Sequence, residues 1–131
     1  MRWTLLITRP SVLVIAAIAV WGFQSPPRRP LSFALVCENS DCPLLVGAQS
    51  AGMRSGFVRL SPGESVGWHT TARNEESLVV LRGQGEALFE GFAKRPFVAP
   101  ASLYIPPATR HNVTNTGRGV LEYVYIVAPS Q

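Results

Sequence analysis

The chain has 131 residues, room for one domain of ordinary size and not for two. With 47% hydrophobic and 15% charged residues it is no disordered polar tail, and 11 glycines with 11 prolines exclude a long helical bundle. The formal charge of +4 invites a nucleic-acid partner, but Arg2, Arg9, Arg28 and Arg29 fall in the first thirty positions, where no acid occurs. The rest balances eight bases against eight acids, which removes the electrostatic case for DNA or RNA.

Residues 1–30 differ in kind from the remainder. Arg2 and Arg9 precede the apolar run Ser11 to Phe23, and Gln24-Ser-Pro-Pro-Arg-Arg-Pro30 then breaks regular structure. Thirteen residues reach only about 20 Å as a helix, short of a hydrocarbon core of about 30 Å. Extending the run back to Trp3 brings Arg9 and Pro10 into the span, at a cost of a few kcal/mol. The segment reads as an export signal in preference to a retained membrane anchor, and either places the domain outside the cytoplasm, periplasmic or extracellular. The membrane is a partner only through this segment, if it stays uncleaved. Cys37 and Cys42 follow, as a small disulfide in an oxidising compartment or as two unrelated thiols.

From Leu31 to Gln131 short apolar runs alternate with glycine, proline and asparagine. Strands are expected at Ser32 to Val36, Leu44 to Val46, Gly56 to Leu60, Leu78 to Leu81, Ala87 to Phe89, Ser102 to Ile105 and Leu121 to Val127. Turns are expected at Ser61-Pro-Gly63, Arg82-Gly-Gln-Gly85 and Asn115-Thr-Gly-Arg-Gly119. Seven strands so spaced describe an all-β, antiparallel sandwich or barrel over residues 31–131. An exposed sheet edge leaves a homodimer open.

Histidine occurs twice, as His69 and His111, both beside glycine- or proline-rich turns. Gly63, five residues, His69, then Glu76 and, six residues on, Gly83 match the pattern G(X)5HXH(X)3-4E(X)6G. Pro106, His111 and Asn115 match G(X)5PXG(X)2H(X)3N at the right intervals, and the segment between the motifs, Gln84 to Ala99, is short. At these residues the sequence resembles the cupin superfamily, as a small single-domain cupin of the conserved-barrel type. The resemblance implies an antiparallel jelly-roll barrel in which His69, Glu76 and His111 point inward and hold a divalent metal (Fe, Mn, Zn or Ni). Three positions depart from the pattern: Thr71 replaces the second histidine of HXH, Pro100 the opening glycine of the second motif and Ala108 its central glycine. The last two concern turn geometry. Thr71 concerns the chemistry, because a hydroxyl is a poor ligand at neutral pH, and it is assigned to the surroundings of the ion, bridged by water.

Two imidazoles and a carboxylate leave open positions for a substrate or dioxygen. Glu75 competes with Glu76, but strand alternation sends the two to opposite faces. Trp68, Tyr104, Tyr123 and Tyr125 are candidates to line a pocket, with core filling as the alternative. Arg59 and Arg110 are candidates to meet an anion, with solvated surface as theirs. The Asn112-Val-Thr114 sequon lies inside the second motif and is read as coincidental. No residue is singled out as catalytic. By analogy an enzyme here is dioxygenase-like or isomerase-like and acts on a small organic molecule. The alternatives are a metal-free module binding a sugar-like ligand and a structural partner domain tethered by its leader.

Overall fold

The computed structural model describes residues 28–130. The export signal or anchor read from the apolar leader therefore lies almost entirely outside the described residues. Eight strands follow in order: β1 Asp41–Leu45, β2 Arg54–Leu60, β3 Asn74–Arg82, β4 Gln84–Phe89, β5 Phe92–Val98, β6 Ala101–Ile105, β7 His111–Asn115 and β8 Leu121–Pro129, with one 3-10 turn at Gly47–Gln49. They form two antiparallel sheets, ordered β1-β2-β8-β3-β6 and β5-β4-β7. The chain before β3 adds to the smaller sheet through bridges pairing Ser65 with Thr114 and His69 with His111.

Alternation builds the interior. Val58 and Leu60 from β2, Leu78 and Val80 from β3, Ala87 from β4, Ile105 from β6, Val113 from β7 and Leu121 and Tyr123 from β8 are buried in one cluster between the sheets. Burying a leucine or valine side chain contributes about 1.5–3 kcal/mol. The end of the barrel where β2 begins and β8 finishes opens into a cavity lined by Arg54, Glu76, His111 and Val127 and floored by Val58, Leu78 and Val113 of the core.

One expected strand is absent and two strands were not expected. Ser32 to Val36 forms no strand: Leu31, Phe33, Leu35 and Val36 are exposed, because no sheet edge offers that stretch a ladder. β5 was not expected, since Phe-Ala-Lys-Arg-Pro-Phe-Val carries charge and a proline. It is an edge strand of the smaller sheet, the place where proline is tolerated. β7 was read only as a motif, yet its polar residues His111, Asn112 and Asn115 are all buried. Cys37 and Cys42 are joined as a disulfide with Cα atoms 5.6 Å apart.

Candidate metal centre

The three residues of the two motifs come from three different places and meet in the cavity. His69 is brought there by the segment bridged to β7, Glu76 by the inward face of β3, and His111 by the first position of β7. Each offers a ligand atom within 4.8 Å of the others. His111 is 1% exposed and Glu76 5%, while His69 stands at the open mouth. The imidazole rings lie 4.3 Å apart, centroid to centroid, at 60°.

The hydrogen bonds behind the rings decide which nitrogens face the cavity. His69 Nδ1 lies 2.9 Å from the Gly67 carbonyl and His111 Nδ1 lies 3.0 Å from that of Thr109. A carbonyl only accepts, so each Nδ1 carries the proton and each Nε2 is left with a lone pair for a cation. His111 Nε2 sits 3.2 Å from Glu76 Oε2, and that oxygen is buried with no hydrogen-bond donor. In the neutral tautomer a lone pair faces a carboxylate oxygen, an unfavourable pairing that only a cation between or upon them relieves, either a proton or a metal ion. Burial works against charge on His111, but the protonated ring would donate to Glu76 as well as to the Thr109 carbonyl and lie against the Glu76 charge, which together outweigh burial, so its pKa lies above the ordinary 6.5. The donor set, two imidazole nitrogens and one carboxylate oxygen converging on one point, fits a first-row divalent metal.

Thr71 also lines the cavity and is buried. Its hydroxyl donates to the Asn74 carbonyl at 2.8 Å, which closes the turn leading into β3 and leaves only lone pairs toward the cavity. Glu75 points to the outer face and accepts from the Tyr104 hydroxyl at 3.1 Å. Asn115, last residue of the second motif, stands apart from the ion site. Its Nδ2 donates to the carbonyls of Leu60 and Gly119, and its Oδ1 accepts from Gly117 N–H, pinning the β7–β8 turn.

Of the four aromatic residues expected around the pocket, Tyr123 and Tyr125 line it and Trp68 and Tyr104 do not, nor do the anion candidates Arg59 and Arg110. Tyr104 is 61% exposed because it occupies an outward position of β6, next to the inward Ile105. Arg59 is likewise outward on β2 and pairs with Glu122 at 3.0 Å. Trp68 is 44% exposed and stacks beneath the Arg110 guanidinium, 5.3 Å from its ring centroid. Asn112 is buried within β7, out of reach of a modifying enzyme. Sequence reasoning missed Asp41 and Arg54, both at the cavity rim. The alternation of Val58 and Leu60 carried back two steps along β2 puts Arg54 on their face, a signal lost by starting that strand at Gly56.

A family model described as the cupin domain matches residues 56–127, more than half of the chain, and the chain belongs to that family. Solved structures agree on the fold. A protein from Bacillus halodurans has a TM-score of 0.68 at 22% identity, covering 79% of this chain and 83% of its own. A predicted oxalate decarboxylase from Thermotoga maritima has a TM-score of 0.55 at 26% identity, covering 59% of this chain. The Cnp3 cupin domain of Schizosaccharomyces pombe has a TM-score of 0.62 at 16% identity, covering 69%. The matched region spans 66% of the Thermotoga chain and 64% of the Schizosaccharomyces chain, slightly under two thirds of each. No curated protein matches.

Proposed function

We propose that the protein is an exported small cupin that holds one divalent metal through His69, Glu76 and His111 and uses it to bind or transform a small organic molecule. The observation that carries this reading is the buried Glu76 Oε2, without a donor and facing the lone pair of His111 Nε2. Iron, manganese, zinc and nickel all suit the donor set. An ion held by His69, Glu76 and His111 would supply Lewis acidity to the site. The chain's own part is to fix both imidazole tautomers through Gly67 and Thr109, to bury the Glu76 carboxylate, and to leave the side toward the mouth open. The Cys37–Cys42 disulfide supports an oxidising compartment, and the leader supports export; fractionation for a cleaved soluble product tests both. Val79 and Leu81, exposed on the outer face of the larger sheet, favour a homodimer, which light scattering tests.

A second reading rests on the raised His111 pKa: an imidazolium against Glu76 satisfies the same atoms without metal, as in a metal-free ligand-binding module. Elemental mass spectrometry separates the two. The expected result is near-stoichiometric divalent metal in the wild type, lost in His111→Ala, with chelator lowering the melting temperature. Saturation to 100 times Kd corresponds to about 2.7 kcal/mol of stabilisation. A metal-free chain indifferent to chelator selects the second reading.

A further inference from the structure

The rim of the same cavity carries a charge that the metal reading does not use. Arg54 opens β2, on the face that Val58 and Leu60 turn to the interior, and lines the cavity. It is the sole cation among the described lining residues. Among the described residues no carboxylate pairs with it, although Asp41 lines the same rim, whereas Arg59 on the opposite face of the strand is bound to Glu122. A guanidinium presents a fork of donors matched to a carboxylate, and this one lines the same cavity as His69, Glu76 and His111 with no ion-pair or hydrogen-bond partner among the described residues.

Net charge points the same way. With a divalent ion in place, Glu76 leaves one positive charge at the centre, and Arg54 and Asp41 cancel at the rim, so one monoanion neutralises the pocket. The volume, about 230 Å³, lies below the roughly 300–1,000 Å³ of sites for drug-sized ligands. Tyr125, pressed onto Gly56 beside Arg54, adds a phenol hydroxyl to the same wall.

We propose that Arg54 anchors the carboxylate of a small organic monoacid whose far end reaches the His69, Glu76 and His111 centre. This assigns a substrate class and rests on the metal reading above. Arg54 is a binding residue, and its removal leaves the three ligands untouched.

The test is titration calorimetry on the full chain loaded with zinc, using straight-chain hydroxycarboxylates from glycolate to 4-hydroxybutyrate and the neutral amide of each. Zinc content and melting temperature are measured on the same samples. At least one acid is expected to bind, with its amide at least about tenfold weaker. Arg54→Met is expected to lose a similar factor with unchanged zinc and melting temperature, and Arg54→Lys, which keeps the charge but not the fork, to fall between them. Equal affinity in Arg54→Met, equal affinity for acid and amide, or no acid binding to the zinc-loaded wild type overturns the assignment. A chain that takes up no zinc, manganese, iron or nickel defeats the metal reading separately. Arg54 is then judged by the same titrations without metal: binding that depends on Arg54 carries the assignment, and binding that does not, or none, overturns it.

Discussion

Gly56 faces Tyr125 across the β2–β8 ladder, and a Cβ at that glycine would lie 2.5 Å from Cε1, Cζ and the hydroxyl oxygen of the tyrosine. The ring therefore lies directly on the backbone of β2, which places its hydroxyl in the cavity wall. A glycine inside a strand marks such a close approach, but the sequence does not say which side chain makes it. Gly56→Ala is expected to push the ring away and cost about 1–3 kcal/mol, read as a lower urea midpoint at unchanged m-value; a variant as stable as the wild type shows that the ring swings freely. Ala108 teaches a related lesson. It replaces the motif's central glycine yet keeps a left-handed φ of 58°, and its N–H donates to the carbonyl of Ala72, itself at φ 53°. The substitution looks neutral in sequence, whereas the backbone retains a conformation that costs an alanine about 1–2 kcal/mol. That strap ties the turn before β3 to the turn before β7, and so sets Glu76 and His111 within reach of each other.

At the scale of elements, β1 depends on the disulfide. Its first residue, Asp41, turns into the cavity opposite Val58, and Cys42 turns out opposite Phe57, where Cys37 closes the loop. A cross-link between residues five apart removes about 2 kcal/mol of loop entropy from the unfolded chain. The double variant Cys37→Ser/Cys42→Ser is thus expected to unfold about 2 kcal/mol more easily by urea titration while taking up as much divalent metal as the wild type, since none of His69, Glu76 and His111 lies in the loop. Loss of metal along with stability would instead make β1 part of the centre. β2, β3 and β8 were legible as apolar runs bounded by turn residues, although Leu78-Val79-Val80-Leu81 and Tyr123-Val124-Tyr125-Ile126 are apolar on both faces and do not say which face is inside. β5 was not, because its exposed face and Pro96 suit an edge and resemble a loop. β7 hides its strand character behind polar side chains that are buried for hydrogen bonding. Ser32 to Val36 failed in the opposite sense: it has strand composition and no partner edge, and pairing is a property of the whole sheet.

At the scale of the molecule, two motifs far apart in sequence sufficed to bring His69, Glu76 and His111 together, because spacing on strands fixes which side of a sheet a residue faces. Rim charges were illegible for the same reason, since Asp41 and Arg54 belong to no motif and enter the cavity only through the register of β1, β2 and β8. The consequence reaches the buried tyrosines. Tyr123 is 3% exposed, and burial first, then the negative fields of Glu76 and Asp41, push its pKa far above the ordinary 10.0. A phenol whose folded pKa exceeds the unfolded one contributes stability in full below about pH 10 and loses it as the pH climbs toward the folded value. Above pH 10 the unfolded chain ionises while the folded chain resists, so Tyr123 removes about 1.4 kcal/mol of stability per pH unit. Tyr125 is raised as well, by burial and Asp41 against the opposing charge of Arg54, and adds to the same trend. The expected outcome is unfolding stability that tyrosine ionisation leaves unchanged up to about pH 10 and a decline beyond it, with Tyr123→Phe showing a visibly shallower decline. Ultraviolet titration of tyrosinate alongside circular dichroism checks this: ionisation of Tyr123 should coincide with loss of the β signal, and a phenol that ionises at its ordinary pH in a folded chain would mean the cavity wall is open to water at that residue.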